Sequence, residues 1–512
     1  MDLTVNAMWF SIALVFIIAA VSKIAIERIM LDPVYKPRPP VVNSVSLIRL
    51  VLTKGLRAMI CDQHRKLGSV FSVSFFGLHK VTFLVGPEVS GHFYQGLESE
   101  ISHGNTLEFL VPIFGKEVGF GVDITTRTEQ MRFYNEALKP SRLRSNVDPM
   151  LKEVEVSTNL QSEYRHDYIP SIILTPLSGL LLQDYLAKWG QHGVVDLKHE
   201  FEQLIMLIAS RCLLGTEVRE NMFGEVHTLF RELYNGMGLT SVLFPYALTL
   251  ANRRRDKARV NLSEIFTKIF RSRKRAKQVE SDVLQNLIDA KYKNGRSTTE
   301  AEVVALIIML LFGGNHTSSL TSTWTGACLL RHQRSLTAVV EEQKQIIRKY
   351  GERIDYNILL EMDTLHNCIK DALRMHPVEP MGIRKVHKNF IVKTKEGTEY
   401  EIPRGHTIVS PVLYNHNLPY IYKDPYVYDP DRFSPGREED RVGGKFSYTA
   451  FGGGRHTCVG EAYAYMQIKV IWSYLLRNFE LKLVSPFPET DWSKLVPEPK
   501  REVMVSYKRV AA

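Results

Sequence analysis

The sequence is poor in cysteine and lacks the short motifs that mark several large functional classes. Its five cysteines are spread over 512 residues with no C-x-x-C spacing, which excludes a disulfide framework or a zinc finger and fits a reducing compartment. Its 16 histidines show no H-E-x-x-H spacing, and no segment carries the Gly-Lys-Ser/Thr of a phosphate-binding P-loop. No repeat of about 20–50 residues is present, which excludes solenoids and propellers.

The composition is that of a folded globular protein with a basic surface. Hydrophobic residues make up 45% and charged residues 23% of the chain, which excludes disordered, collagenous and low-complexity proteins. The net charge of +10 suits nucleic acid, an anionic membrane or an acidic protein equally well. Because the basic clusters at 253–259 and 271–277 are typical of solvated helix faces, we expect no nucleic-acid partner.

An apolar segment at the N-terminus predicts a membrane anchor. Leu3 to Val21 is largely apolar, close to the roughly 20 residues that span a bilayer. The basic residues that begin at Lys23 place the following chain on the cytoplasmic side. A cleaved signal peptide is the alternative, but Asp2 stands where such a peptide carries basic residues. We expect an uncleaved transmembrane helix, a stiff proline-rich hinge and a folded body, over 1–22, 23–45 and 46–512.

The body is predicted to be mainly helical with small β-sheets. Val70–Phe76 and Lys80–Val85 alternate or cluster β-forming residues, which is the pattern of strands. Most of 195–380 has helical periodicity, with charged residues on the outer faces.

One helix in this region is predicted to be buried on every side. Thr299 and Glu302 have the spacing of a capping box. Val303–Phe312 is then apolar on all faces, but its ten residues are too few to cross a bilayer.

Two glycines, Gly313 and Gly314, follow the apolar run. Each costs a helix about 1 kcal/mol relative to alanine. They indicate either loose packing or a flat ligand that lies against the helix, with His316 and Thr317 as the nearby proton donors.

A glycine-rich segment near the C-terminus carries the strongest chemical signal, Phe451-Gly-Gly-Gly-Arg-His-Thr-Cys458-Val-Gly460. A strongly helical stretch follows it over 461–479. A cysteine ahead of a helix N-terminus faces backbone N–H groups and the positive end of the helix dipole, which favours a thiolate. The flanking glycines would let a large planar cofactor lie on the backbone. Considered alone, a cysteine is more often a small buried hydrophobic residue.

At these residues the chain resembles the cytochrome P-450 superfamily. The signature F-x-x-G-x-x-x-C-x-G is met in full by Phe451, Gly454, Cys458 and Gly460. Three companion motifs occur in the same order as in that family: Gly314-x-x-Thr317, Asp371-Ala-Leu-Arg374 in place of E-x-x-R, and Pro430-Asp-Arg432-Phe433 in place of P-x-R-F.

Within the superfamily the chain is similar to the sterol 14α-demethylases. The similar segments are Gly314–Ser318, Arg455-His456 and Val111–Gly115. The tail at 475–489 is especially similar to the plant obtusifoliol 14α-demethylases, from which this protein would be a diverged paralogue.

The resemblance implies a mainly α cytochrome P-450 fold with small β-sheets and a haem-thiolate monooxygenase over 46–512. Cys458 would be the proximal ligand of the haem iron, and Thr317 and His316 would deliver protons during oxygen activation. The other implied haem contacts are Phe451, Gly454, His456, Gly460, Arg384 and Arg132. The implied ion-pair cluster under the haem is Asp371, Arg374 and Arg432. The implied substrate contacts are Leu107, Phe109, Phe120, Gly313, Glu379, Met381 and Pro497.

The resemblance also implies the cofactor, partners and location. The cofactor would be haem b, with electrons from NADPH through a flavin-containing cytochrome reductase. The partners would be that reductase, a sterol or triterpene substrate and membrane lipid. We expect a monomer in the endoplasmic reticulum membrane with its catalytic domain in the cytoplasm.

Several residues depart from the family pattern. Asp371 replaces the usual glutamate and should re-space or weaken a buried ion pair. Leu107 stands where the family usually has a tyrosine. Glu379 and Gly382 should change the polarity and volume of the substrate wall, and Gly313 and Asn315 replace the usual alanine and glutamine. Because these changes concentrate at substrate positions, we expect a sterol or triterpene substrate other than obtusifoliol.

An insertion over 157–184 interrupts the family pattern. Its two prolines and a glycine within apolar residues do not continue a helix. We expect a retained intron, because the residues at its two ends can be encoded by splice borders. A genuine loop or membrane contact is the alternative.

The sequence leaves three functional alternatives to the diverged enzyme. The first is a true obtusifoliol 14α-demethylase. The second is a haem- or sterol-binding protein without turnover, which Asp371, Leu107 and the insertion would motivate. The third is an unproductive gene copy that never folds.

Overall fold

A computed structural model of the 512-residue chain describes residues 36–154, 186 and 189–510, apart from 76, 78 and 277–281. The predicted anchor, the first part of the predicted hinge and the predicted insertion lie outside the described residues. The chain forms two compact units. One, here called the sheet unit, contains the residues up to Thr106, Glu379–Tyr426 and Glu438–Thr457. The other, the helical unit, contains Leu107–Val378, Val427–Arg437 and the residues from Cys458 onward.

The strands are short, as the composition leads us to expect. They are β1 Val41–Asn43, β2 Val70–Phe75, β3 His79–Leu84, β4 Ile101–Ser102, β5 His192–Asp196, β6 Gly382–Val386, β7 Phe390–Lys393, β8 Glu399–Ile402, β9 Thr407–Ser410, β10 Phe479–Leu483, β11 Thr490–Asp491, β12 Glu498–Pro499 and β13 Met504–Arg509. In the sheet unit, six strands form a sheet in the order β1-β2-β3-β9-β6-β4, and β7 pairs with β8. In the helical unit, β10-β13-β5 and β11-β12 form two smaller sheets.

Helices make up most of the described chain. They are α1 Ser44–Leu67, α2 Gly91–Gln95, α3 Val111–Phe114, α4 Ile124–Ala137, α5 Pro140–Leu143, α6 Val147–Val154, α7 Leu197–Ala209, α8 Thr216–Asn221, α9 Phe223–Asn235, α10 Leu239–Leu243, α11 Leu250–Arg275, α12 Val283–Asp289, α13 Glu300–Arg331, α14 Gln333–Tyr350, α15 Tyr356–Leu360, α16 Asp363–Met375, α17 Val412–Asn415 and α18 Glu461–Asn478. One π-helix, Ser210–Leu214, continues α7. The 3₁₀-helices are Gly104–Leu110, Gly119–Gly121, Arg144–Asn146, Pro430–Phe433 and Gly454–His456.

The two strands predicted from β-forming runs are confirmed. Strand β2 pairs antiparallel with β3, with Val70 opposite Leu84 and Phe75 opposite His79. Val70 and Leu84 are fully buried in the core of the sheet unit. The apolar residues of these runs therefore form strands because they supply the buried face of the sheet.

The predicted hinge is attached to the sheet unit over its last residues. The Lys36 ammonium lies 2.6 Å from the Glu399 carboxylate, and the Pro40 carbonyl accepts a hydrogen bond of 2.8 Å from the Ser72 amide. Strand β1 then pairs in parallel with β2. The last residues of the predicted hinge are therefore hydrogen-bonded to the sheet, which satisfies their backbone groups.

Helix α13 is the buried helix that the sequence predicts. Its capping box is present, with the Thr299 hydroxyl accepting from the Glu302 amide at 3.2 Å and the Glu302 carboxylate accepting from the Thr299 amide at 2.8 Å. Among the described residues it is the one helix long and apolar enough to cross a membrane, but 67% of its most apolar window is buried inside the protein. Such burial is typical of a core helix.

Two arginines of the basic clusters are buried, so the prediction that these clusters are wholly solvated is wrong. Arg255 is only 1% exposed, and its guanidinium donates to the Pro245 carbonyl at 2.9 Å. Arg273 pairs with the Asp282 carboxylate at 2.7 Å and donates to the Leu214 carbonyl at 2.7 Å. Charge patterning could not reveal this burial, because the partners come from other segments.

Candidate active site

Cys458 lies ahead of the N-terminus of α18, as predicted. Its side chain is exposed, whereas the thiols of Cys212, Cys328 and Cys368 are buried, and burial raises the pKa of each buried thiol. Helix α18 is fixed against α13 because the Trp472 indole N–H donates to the Ser322 hydroxyl at 3.0 Å. The one exposed thiol among these four thus stands at the positive end of a firmly packed helix, where a thiolate ligand is favoured.

The middle of α13 has an open face. Gly313 and Gly314 continue the helix without a break. Apart from the chain neighbours and the nearby backbone of the helix itself, no described atom lies within 4 Å of the position that a Cβ would take at either residue. Thr317 lies on the same side, one turn on, and its hydroxyl donates to the Gly313 carbonyl at 2.7 Å. An uncovered face in the centre of an otherwise buried helix fits a flat ligand better than loose packing, because loose packing would leave no contiguous open surface.

His316 lies on a different side of this turn. Its ring centroid is 4.8 Å from that of Tyr234 on α9, and the Tyr234 hydroxyl donates to the Phe312 carbonyl at 2.6 Å. Burial lowers the pKa of His316 to about 4, and nearby Lys198 and Lys494 lower it further while Glu498 opposes them. His316 is therefore a neutral imidazole near pH 7.

His316 borders a cavity of about 460 Å³ in the helical unit. The residues that line the cavity come from α7, α9, α13 and the β11–β12 hairpin: Lys198, His199, Glu202, Met206, His227, Phe230, Arg231, Tyr234, Asn235, Met237, Gly238, Asn315, His316, Lys494, Leu495, Val496 and Glu498. Its rim is crossed by an ion pair of 2.8 Å between Lys198 and Glu498. This volume lies in the usual range for small-molecule pockets, about 300–1,000 Å³.

The seven predicted substrate contacts do not line this cavity. Pro497 lies between two residues that do, Val496 and Glu498. Leu107 and Phe109 lie in the 3₁₀-helix Gly104–Leu110. The remaining four, Phe120, Gly313, Glu379 and Met381, lie elsewhere in the fold.

The structure gives the surroundings of two departures from the family pattern, Glu379 and Gly382. The Glu379 side chain is accessible to solvent at its surface, but many protein atoms surround it. The partial loss of hydration raises the pKa of its carboxyl group, and the nearby charge of Arg384 partly offsets this rise. A side chain at Gly382 would collide with the ring of Phe93, 2.8 Å from the Cβ position. Gly382 therefore does not enlarge a pocket, since the phenylalanine already fills the space.

The sheet unit brings together two of the predicted haem contacts, Arg384 and His456. The Arg384 guanidinium donates to His103 Nε2 at 2.6 Å, and the His103 and His456 rings meet edge to face with centroids 5.4 Å apart. His456 Nε2 in turn lies 3.2 Å from the Glu98 carboxylate. Neither His103 nor Glu98 was predicted from the sequence, because these contacts depend on the pairing of β4 with β6.

The other predicted haem contacts are distributed along both units. Phe451 and Gly454 belong to the cysteine loop of the sheet unit, and Gly460 is the N-cap of α18. Gly454 has φ of 59°, and a Cβ there would collide with the Tyr94 carbonyl oxygen, so only glycine fits. Arg132 lies on α4 and donates to the Lys291 carbonyl at 2.6 Å.

Asp371 forms the predicted ion-pair cluster. Its Oδ1 accepts from Arg374 Nε at 2.6 Å and lies 3.0 Å from Arg432 Nε, and all three side chains are fully buried. Its Oδ2 accepts from the Asp429 amide at 2.7 Å. The shorter carboxylate therefore still reaches both guanidinium groups, and the expected weakening is not visible in these contacts.

Comparisons with known proteins agree with this arrangement. The cytochrome P-450 family model matches residues 177–505. Obtusifoliol 14-alpha demethylase of Sorghum bicolor is 51% identical over 473 residues, covering 92% of this chain and 89% of the relative. Sterol 14-demethylase of Arabidopsis thaliana is 51% identical over 480 residues, covering 94% and 91%. Lanosterol 14-alpha demethylase of Bos taurus is 31% identical over 452 residues, covering 88% and 82%.

A solved structure shares the fold. It is a cyanobacterial cytochrome P-450 with retinoic acid bound, which superposes with a TM-score of 0.73 at 20% identity and covers 93% of this chain and 100% of its own. The fold and the cysteine loop therefore define a haem-dependent monooxygenase of the cytochrome P-450 class. Within that class, the chain belongs to the sterol 14-demethylase family.

Family membership supplies the cofactor, and the residues present fit it. Members use haem iron and receive electrons from NADPH through a reductase. An exposed thiol such as that of Cys458 is the type of donor that the iron of this class requires, and the open face at Gly313 and Gly314 leaves room for a large planar group. Haem fits these residues as they stand.

Proposed function

We propose that this enzyme oxidises a sterol or related triterpene other than obtusifoliol, using O2 and electrons from NADPH through the reductase. The observation that carries the choice of a sterol or triterpene is the polar lining of the 460 Å³ cavity beside His316, and the departures from the family pattern at Gly313, Asn315 and Glu379 set the expected substrate apart from obtusifoliol. Pockets for hydrocarbon ligands are lined mainly by apolar side chains with a few placed polar groups. Here two lysines, an arginine and two glutamates border the space, which favours a ligand with polar contacts in addition to an apolar skeleton.

The roles of the two predicted catalytic residues differ. Bound haem, held by the Cys458 thiolate, supplies oxygen activation. The Thr317 hydroxyl donates to the Gly313 carbonyl at 2.7 Å, so its lone pairs remain able to accept a proton donor on the open face. His316 is neutral near pH 7 because its pKa is lowered to about 4. Thr317 is therefore the proposed proton relay: its oxygen accepts a proton on the open face as its own hydrogen leaves the Gly313 carbonyl and is donated onward. His316 serves as a neutral hydrogen-bonding group.

The proposed contacts to the haem propionates are Arg384 and His456, each able to donate to a carboxylate. Their support is the chain of contacts through His103 described above. Phe451, Gly454 and Gly460 would shape the loop around Cys458. Arg132 stays a proposed contact, although one of its nitrogens is directed to the Lys291 carbonyl.

A membrane location is proposed from the surface of the helical unit together with the apolar N-terminal segment. Five large apolar side chains between α10 and the start of α11 are well exposed: Leu243, Phe244, Tyr246, Leu248 and Leu250. Leu248 alone is 82% exposed, and the basic residues of α11 follow directly. An apolar surface beside basic residues suits a membrane interface with anionic lipid, in line with a monomer anchored in the endoplasmic reticulum.

The domain organisation is likewise a proposal. The anchor over 1–22 and the insertion over 157–184 lie outside the described residues. Sequencing a cDNA tests the intron hypothesis for the insertion. If the codons for residues 157–184 are absent from the transcript, the gene model is in error, and if they are present, the intron hypothesis is refuted.

A true obtusifoliol 14α-demethylase is the second candidate. Its support is the 51% identity with the Sorghum bicolor enzyme along almost the whole chain. The alternative of a haem- or sterol-binding protein without turnover has less support, because the Asp371 ion-pair cluster is intact.

The test is expression of the chain with and without residues 157–184, followed by two measurements. The reduced CO spectrum reports the thiolate ligand, and titration with obtusifoliol or with β-amyrin, a pentacyclic triterpene, reports displacement of the water ligand through the iron spin state. A shift and product with the triterpene alone would support the proposal. Loss of the 14α-methyl group of obtusifoliol as formate would establish the second candidate instead.

A further inference from the structure

Asn315 is a buried polar residue on α13 whose side-chain oxygen is unpaired among the described residues. It is 5% exposed, and its Oδ1 has no hydrogen-bond partner among the described residues. Leaving a buried polar oxygen unpaired is costly in free energy, so such a group calls for a partner outside the protein chain. Asn315 also lines the 460 Å³ cavity, which is where that partner would lie.

The charges around the cavity restrict what this partner is. An amide oxygen needs a hydrogen-bond donor, which excludes a carboxylate and a ketone. Lys198, Arg231 and Lys494 outnumber Glu202 and Glu498 on the lining, so a cationic donor would be repelled. Burial also raises the pKa of Glu202, which further weakens the negative charge. A neutral donor is therefore expected, and the neutral donor that a sterol or triterpene carries is a hydroxyl group.

The neighbouring apolar groups indicate what carries the hydroxyl. The hydroxyl group of Tyr234 interacts with the side-chain amide of Asn315. The Tyr234 ring stacks on the Phe312 ring, with centroids 4.3 Å apart. Phe230, which also lines the cavity, is fully buried. These aromatic surfaces suit a hydrocarbon skeleton beside the amide.

We propose that Asn315 determines substrate specificity by accepting a hydrogen bond from the lone hydroxyl of a monohydroxy sterol or triterpene that enters this cavity. The inference rests on the proposed function and names how its substrate is recognised. Asn315 binds and orients, while the oxidation is carried out elsewhere on the substrate.

The experiment uses the full-length haem-loaded enzyme and two pairs of probes. The pairs are obtusifoliol with its 3-O-methyl ether, and β-amyrin with its 3-O-methyl ether, in which the ether keeps the oxygen but lacks the donor. Spin-state titration gives the Kd of each probe, and equilibrium dialysis gives the same constants without relying on the haem. The variants are Asn315→Leu, close in shape but apolar, and Asn315→Gln, which retains an amide.

For whichever alcohol shifts the wild-type spin state, its methyl ether should bind about tenfold more weakly, the equivalent of one net hydrogen bond. In Asn315→Leu the ratio of the Kd of the ether to the Kd of the alcohol should fall to about one, and Asn315→Gln should restore part of this difference. The matched control is Thr325→Val, which removes a buried hydroxyl from the same helix outside the cavity and should leave the ratio unchanged.

If the ratio of the Kd of the ether to the Kd of the alcohol is the same in Asn315→Leu as in the wild type, the inference is overturned. This result is also expected if an ordered water, and not the substrate, is the hydrogen-bond partner of Asn315. If the enzyme removes the 14α-methyl group of obtusifoliol, or if neither alcohol shifts the wild-type spin state or is oxidised, the proposed function itself fails. The two failures are therefore distinguishable, because the first leaves wild-type binding and turnover intact.

Discussion

Replacing Asp371 by asparagine probes the ion-pair cluster of the helical unit. Asn keeps the shape of the side chain but removes its charge, so that buried Arg374 and Arg432 lose the carboxylate they share. Both guanidinium groups are fully buried and share one carboxylate oxygen, while the other oxygen accepts from the Asp429 amide.

The magnitude follows from these contacts. Removing one member of a buried ion pair costs about 3–5 kcal/mol, which is a large part of the roughly 5–15 kcal/mol that stabilises a typical domain. Both arginines also donate to the Val427 carbonyl, at 3.2 and 2.9 Å, so they remain partly satisfied. We therefore expect a loss of about 3 kcal/mol, at the lower end of that range.

Urea unfolding followed by the reduced CO spectrum is the assay, with the wild type and Asp371→Glu beside Asp371→Asn. Glutamate, the usual family residue, adds a methylene to a fully buried site whose distances are already 2.6 and 3.0 Å, and overpacking costs about 1–3 kcal/mol. A loss below about 1 kcal/mol in Asp371→Asn would refute the view that this cluster holds the helical unit together.

Three further predictions concern the site itself. Thr317→Val removes the hydroxyl that contacts Gly313 and should lower product formation about 100-fold while leaving ligand binding intact, measured as product formed per NADPH consumed. Because the pKa of His316 is lowered from 6.5 to about 4, its neutral form stabilises the fold fully above about pH 6.5 and this contribution, at most about 3 kcal/mol, is lost as the pH falls towards 4. His316→Gln should flatten that part of the pH–stability profile in urea titrations, and an unchanged slope would contradict the assignment. Gly454→Ala should prevent normal haem incorporation, seen as loss of the reduced CO spectrum, because its Cβ would meet the Tyr94 carbonyl at a positive φ.

Local chemistry in the sequence predicted the elements that carry the cysteine and the open helix face. The Thr299 capping box depends on residues three apart, and strand β2 depends on a run of β-forming residues. The cysteine motif precedes its helix directly along the chain. Such features are readable because all their partners are near one another in sequence.

Contacts between distant segments could not be predicted in the same way. His103 meets Arg384 across 281 positions of the chain, through the pairing of β4 with β6. Arg273 has the sequence context of a basic helix face, but its guanidinium donates to the Leu214 carbonyl, 59 positions away. The burial of such a charged group is set by tertiary packing, which periodicity does not encode.

The sequence did indicate where this enzyme differs from its relatives, but not what the differences do. Gly382 was expected to change the volume of the substrate wall, and the ring of Phe93 occupies the space beside it. Asn315 was noted as an exchange of one amide side chain for a shorter one, yet its buried Oδ1 has no partner among the described residues and the residue lines a polar cavity. A departure from a family pattern therefore has functional meaning only through its neighbours. Of these two residues, the one whose neighbours leave a polar atom unpaired is the better candidate for a change of substrate.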